Sequence, residues 1–157
     1  MVYSSLAQLH FHYCCTAWGG APASLLEPLY VLQRKMMRVM TFSHYQAPTT
    51  PLFFKLKILK AQDLYKLNLA MTYHKIHKNN FVGETNLTYV KEIHKYGTRL
   101  AIGSGFFSVH CPTNLVKTTL SKAGIQTWNK IPNEIKNKSI EVFKAYLKKT
   151  MFESYNT

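Results

Sequence analysis

A mainly α-helical fold is predicted, with a helical N-terminal part, a mixed segment of loops and short strands, and C-terminal helices. Three observations predict it. Apolar residues recur at three- and four-residue spacing over 25–40, 61–78 and 140–151, the period of helices with buried faces. Ser24, Thr50 and Ser139 stand just before helical runs, where a hydroxyl can satisfy the free N–H groups of a first turn. Glycine, proline and paired asparagine gather instead over 79–113, where the helical period lapses. The resulting division is 1–79, 80–113 and 114–157.

The first element is an apolar-aromatic run from Ala7 to Trp18, stopped by Gly19, Gly20 and nearby Pro22. It predicts one buried helix with an abrupt start. Ser24 and Glu27 then fit a capping box, although Pro28 is harmless only within a first turn. On a helical wheel Leu25, Leu29, Leu32, Met36, Val39 and Met40 share one face, while Arg34 and Arg38 stand opposite with Lys35 at the edge. The expectation is a buried apolar face and a basic outer stripe.

After a loop over 43–50, Thr50-Pro51 predicts a cap followed by proline in the first turn, opening a short helix through Leu52, Phe53 and Leu56. Lys55, Lys57 and Lys60 interleave with its apolar residues. From Ala61 to about Lys78, Leu64, Leu67 and Met71 line one side and Tyr65, Leu69, Tyr73 and Ile76 another. Such a helix packs on two sides. Residues 79–113 predict loops and two short strands. A short helix over 123–131 halts before Pro132, and Ser139 caps a last helix whose Ile140, Phe143, Tyr146, Leu147 and Met151 alternate with Lys144, Lys148 and Lys149.

Charge then narrows the function. The chain carries 20 Lys+Arg against 7 Asp+Glu, a formal net charge of +13 on 157 residues. A surface of that sign attracts polyanions, since each cation docked on a phosphate releases condensed counterions. Two-metal polymerase or nuclease chemistry needs clustered carboxylates. Asp63 is the lone aspartate, and Glu27, Glu84, Glu92, Glu134, Glu141 and Glu153 are scattered. The chain is therefore expected to grip nucleic acid without cutting or copying it, with no catalytic residue, no metal ligand set and no cofactor of its own.

With 46% hydrophobic and 13% aromatic residues the chain has material for a real core. No apolar run approaches the ~20 residues of a membrane span, and the opening residues lack a secretory pattern. An intracellular protein, nuclear or cytoplasmic, is expected. Cys14 and Cys15 are adjacent and Cys111 is distant, an odd count that resembles no disulfide framework and predicts reduced thiols. The i,i+4 pair His10/Cys14 and the i,i+3 pair His74/His77 lack the paired spacing of a metal site, and no orienting carboxylate lies near for catalysis. They read as core residues. Gly103-Ser104-Gly105 lacks both a nucleophile elbow and a phosphate-loop lysine and reads as a turn.

Four ordered fragments carry a family resemblance. They are Tyr13-Cys14 with Trp18-Gly19; Leu29, Leu32, Gln33, Arg34 with Arg38-Val39; Pro51-Leu52-Phe53 with Leu56, Ile58-Leu59, Asp63 and Tyr65; and His94 through Arg99, followed by Gly124, Trp128-Asn129, Ile131-Pro132, Ile135-Lys136, Phe143-Lys144 and Leu147-Lys148. Together, over about 3–155, they resemble the C-terminal part of the reverse transcriptase of non-long-terminal-repeat (LINE-type, jockey-like) retrotransposons. The resemblance implies a thumb-like helical region over 1–79 and a region that follows the thumb. It implies that fingers and palm, with the catalytic aspartates and the Mg2+ they hold, lie outside this chain and would be its partners in the intact RNA-directed DNA polymerase. It further implies that Met1 opens inside a helix continuing from the thumb, so that this start should fray. The family's His-Tyr-Asn-Thr-Arg run appears here as His94, Tyr96, Gly97, Thr98 and Arg99. Glycine removes the amide that asparagine offers, although both residues tolerate a left-handed turn.

The candidate contacts each carry two readings. Arg34, Lys35 and Arg38 track a nucleic-acid backbone or form a solvated helix face. His94, Tyr96 and Arg99 stack on a base and fork onto a phosphate, or lock a turn. Lys55, Lys57, Lys60, Lys144, Lys148 and Lys149 meet phosphates or serve solubility. Trp128, spaced three from Ile125 and three from Ile131, reads as a core anchor. The leading expectation is a non-catalytic fragment that binds RNA, DNA or the RNA–DNA duplex. Beside it stand an inactive relic reading frame, whose bared apolar faces lead to self-association, and a basic module for acidic protein or anionic membrane surfaces.

Overall fold

Helices make up nearly all the regular structure in the computed structural model, which describes residue 3 and residues 7–78, 87–108 and 120–155. In chain order they are α1 Gln8–His12, α2 Cys15–Trp18, α3 Ala23–Met40, α4 Thr50–Leu56, α5 Ala61–His77, α6 Val90–Ile93, α7 Arg99–Ile102, α8 Leu120–Lys130, α9 Asn133–Lys136 and α10 Ile140–Glu153. The protein is mainly α. The frayed start expected at Met1, the thiol of Cys111, and residues 79–86 and 109–113 of the expected strand segment lie outside the described residues. Within that segment, α6 and α7 occupy positions expected to be loop or strand, and among the described residues the β structure is one antiparallel bridge between Tyr89 and Phe106.

Two compact units divide the chain: 1–65 with 147–157, and 66–146. In the first, Phe11, Cys15, Met37, Phe53, Ala61, Leu64 and Tyr155 form a buried cluster. The single helix expected over 7–18 is broken into α1 and α2. Tyr13 is extended and Cys14 takes a left-handed conformation (φ 45°). The break frees the Tyr13 carbonyl, which accepts the Trp18 indole N–H at 2.8 Å. His10 and Cys14 thus belong to no common helix, and among the described residues neither the exposed Cys14 nor the buried Cys15 is in a disulfide.

The caps also differ from expectation. α3 begins at Ala23 with Pro22 before it, so Ser24 and Glu27 form no capping box, and Pro28 lies inside the helix. Glu27 instead pairs with Arg34 at 2.6 Å. α4 begins at Thr50 itself, and the Thr50 hydroxyl accepts the Lys60 ammonium at 3.3 Å. Prolines set both starts: their fixed φ and missing N–H suit the first positions of a helix without a side-chain cap.

The larger correction concerns the face of α3. Leu29, Met36 and Met40 of the expected face pack against the core, but the buried residues are Leu26, Gln33 and Met37, and Leu25, Leu32 and Val39 are 71%, 49% and 73% exposed. The cause is Gln33, whose side chain makes three hydrogen bonds, two of them buried, and turns its own arc inward. A wheel weighted by apolar character places a glutamine outside, yet a fully satisfied amide is stable inside.

In the second unit, Trp128 is fully buried and its indole donates to the Ser104 carbonyl at 3.1 Å. Phe106, His74 and Phe143 surround it. The part of α5 in this unit buries Leu67, Leu69, Ala70, Tyr73 and His74, more than one stripe. Gly124 lets α8 approach the Tyr73 ring so closely that an added methyl would overlap it. The Tyr73 hydroxyl then reaches the Ser121 carbonyl at 2.7 Å. α10 begins after Ser139, whose carbonyl accepts the Phe143 N–H at 2.9 Å, and it buries Phe143 and Leu147 at the expected period.

Candidate nucleic-acid interface

The predicted contacts divide between the units. Arg34, Lys35, Arg38, Lys55, Lys57, Lys60, Lys148 and Lys149 fall in the first, and His94, Tyr96, Arg99 and Lys144 in the second.

Helix geometry in the first unit sorts these cations by freedom. Lys35 projects from α3 into solvent. Arg34 is half-buried and held by Glu27, and Arg38 Nε donates to the Ala47 carbonyl at 3.0 Å, so both guanidinium groups are oriented before any ligand arrives. Lys55 is exposed on α4, and Lys57 ends that helix in a left-handed conformation, also exposed. Lys60 differs. Its ammonium lies 4.4 Å from the Tyr155 ring centre besides its bond to Thr50, which directs it inward. A cleft lined by Tyr30, Gln33, Arg34, Thr50, Lys60 and Gln62 brings Arg34 and Lys60 to one place. Lys148 and Lys149 are exposed on α10, Lys149 lying 3.9 Å from Glu153. An exposed pair of that length contributes little to stability and yields readily to a phosphate.

In the second unit the His94, Tyr96, Arg99 set sits where α6 gives way to α7. Thr98 caps α7 through a 3.3 Å bond from the Ala101 N–H, which leaves Arg99 exposed in the first turn. Tyr96 is 77% exposed and its ring centre lies 5.9 Å from that of His94. His94 Nδ1 is buried without a hydrogen-bond partner among the described residues. Gly97 does not adopt a positive φ, and a Cβ there would meet open space. The left-handed conformation that glycine and asparagine both tolerate is not used at this position.

Lys75, Lys78 and Lys138 form a cluster that sequence reading did not single out. They line a second-unit cleft with His74, Asn137 and Ser139. Lys78 Nζ donates to the Asn137 carbonyl at 3.0 Å. Sequence carries no local sign of this meeting, because some sixty positions separate Lys78 from Lys138.

Both α5 histidines are engaged in structure. His74 Nε2 lies 3.0 Å from the Lys138 carbonyl, so that nitrogen carries the proton. His77 meets the Tyr89 hydroxyl at 3.1 Å and the Asn137 amide at 3.4 Å. Burial lowers the pKa of each, with neighbouring lysine charge adding to the effect. Lys136 is buried without a carboxylate partner among the described residues, donates to the Gly103 carbonyl at 3.1 Å, and has its pKa likewise lowered by burial. Among the described residues no three His, Cys, Asp or Glu side chains gather as metal ligands, and no helix is long and apolar enough to cross a membrane.

No protein-family model, curated protein or solved structure matches the chain.

Proposed function

We propose that this chain is a non-catalytic, nucleic-acid-binding piece of a retrotransposon-type RNA-directed DNA polymerase, gripping the backbone of template RNA or an RNA–DNA duplex. The reading rests on one observation above the others: a +13 charge borne by a folded helical scaffold in which three of the seven acids are engaged with the protein itself. Asp63 accepts the Tyr155 hydroxyl, Glu27 holds Arg34, and Glu92 accepts the Tyr89 N–H. Exposed Lys35, Lys55, Lys57, Lys144 and Lys148 therefore present a positive field with little local cancellation. The four ordered fragments supply the polymerase context, and fingers and palm would be the protein partners. The chain would work inside a cell, in the nucleus or cytoplasm.

The test is affinity for RNA, DNA and hybrid duplex across a salt series. Lys144→Gln with Lys148→Gln should flatten the slope of log K against log salt by about 2, at roughly 0.9 per lost phosphate contact. An unchanged slope removes these lysines from the interface, and indifference to every polynucleotide at low salt ends the proposal.

A second reading, an inactive piece that self-associates, is favoured by the exposed Leu25, Leu32 and Val39. They lie on a single helix at seven-residue spacing, the repeat of a helix–helix seam. Sedimentation that is independent of protein concentration would count against it.

A further inference from the structure

The end of α3 is built in an unfavourable way that burial does not explain. Phe42 is 97% exposed and adopts a left-handed conformation (φ 50°). Helices often close with one left-handed residue, but glycine or asparagine normally supplies it, because a Cβ crowds the following carbonyl. A phenylalanine there combines steric strain with a bare aromatic ring. The strain is held by a set of bonds. Ser43 N–H reaches back to the Arg38 carbonyl at 3.0 Å, Phe42 N–H to Val39 at 3.2 Å, and the Thr41 hydroxyl to Met37 at 2.9 Å. Thr41 and Ser43 hydroxyls join at 2.7 Å.

Beyond it the loop is folded back and fastened. Arg38 Nε binds the Ala47 carbonyl, and the Ala47 N–H binds the His44 carbonyl at 2.9 Å. Tyr45, within this loop, is left 74% exposed. Residues 41–47 contain no acid, and Arg38 and Lys35 stand in the turns just before them. Strain retained by an over-determined local structure, with two exposed rings three positions apart in it, points to a binding role.

We infer that Phe42 and Tyr45 form a stacking platform for unpaired bases of single-stranded nucleic acid, with Arg38 and Lys35 meeting the adjoining phosphates. The inference rests on the nucleic-acid reading above and names the strand form that this loop takes. Every base offers a π-face, so the contact is tolerant of sequence. A duplex hides those faces in its own stack. Charge selects this occupant over a second copy of the chain, since two such loops would bring like charges together.

The experiment compares the full chain with Phe42→Gly and with Phe42→Gly plus Tyr45→Ala, using oligouridylate and a duplex of equal length over a salt series. Phe42→Gly relieves the backbone strain, so its thermal midpoint should rise while single-strand affinity falls about tenfold. The double variant should fall further. Its salt slope and its duplex affinity should match the parent, because stacking releases no counterions. A Phe42→Trp chain should lose indole emission on saturation with oligouridylate. Equal single-strand affinity in parent and Phe42→Gly overturns the platform while leaving nucleic-acid binding intact. A parent chain that binds neither strand form at low salt overturns both. Loss of self-association in Phe42→Gly, with single-strand affinity unchanged, would assign the rings to a second copy and also overturns the platform.

Discussion

Gln33 Oε1 accepts the backbone N–H of Ala61 at 2.9 Å, joining the middle of α3 to the first residue of α5 across 28 positions of sequence. The same amide donates to the Leu59 carbonyl at 3.1 Å and to the Tyr3 hydroxyl at 3.0 Å. Gln33 is 2% exposed, so all three partners lose water when it docks. It also satisfies one of the orphan N–H groups at a helix start. Gln33→Leu keeps the volume and removes every bond. We predict a loss of about 2–4 kcal/mol from stranded buried groups, read as a lower urea midpoint with unchanged m. A loss below about 0.5 kcal/mol would mean that water replaces the amide.

Tyr155 and Asp63 give a second test. The Tyr155 hydroxyl donates to Asp63 Oδ2 at 2.5 Å and accepts the Lys60 N–H at 3.1 Å. Burial, then the carboxylate beside it, pushes the phenol pKa well above its ordinary value of 10.0. In the window between those values the folded chain holds the proton and the unfolded chain releases it. Stability from this group is therefore full below about pH 10 and declines as pH rises through the folded value. Tyr155→Phe should lower stability at neutral pH and make the alkaline decline shallower. Tyr3, Tyr30, Tyr65 and Tyr89 are raised by burial as well, so some decline should persist.

For His74 and His77 the sign reverses. Both folded pKa values lie below the ordinary 6.5, chiefly through burial. The unfolded chain binds more protons in the window beneath 6.5, so their contribution is full above it and lost as pH falls through the folded values. Protonation would charge the His74 ring against Phe143, whose centre lies 4.4 Å away. Urea midpoints should be lower near pH 5 than near pH 7.5, and His74→Gln should narrow that difference. Equal narrowing by an exposed substitution such as His44→Gln would refute the assignment.

Two glycines should respond in opposite ways. Gly97→Asn restores the residue typical of the resembled family, and since its Cβ meets open space and no positive φ is present, stability should change by less than about 0.5 kcal/mol. Gly124→Ala drives a methyl into the Tyr73 ring and should cost about 1–3 kcal/mol. Thermal melts of the two variants, compared in one buffer, decide the matter. A destabilised Gly97→Asn would show that this segment is tighter than its geometry.

The long helices were legible because their apolar periods need nothing beyond the local chain: 61–77 and 140–153 lie where spacing placed them, and Trp128 is the anchor that its flanking isoleucines implied. So was the excess of positive charge, which no fold alters. Where sequence reading missed, a distant partner had decided. Gln33 turned α3 because Tyr3, Leu59 and Ala61 offered bonds that a helical wheel does not count. Lys60 turned toward the Tyr155 ring, Lys136 left the surface for the Trp128 ring and a carbonyl, and Lys75, Lys78 and Lys138 met only through folding. Net charge and helical period are sums over neighbours along the chain. Which arc of a helix is buried, and which cations remain free to meet a phosphate, depends on hydrogen bonds between residues tens of positions apart, and those exist only once the chain has folded.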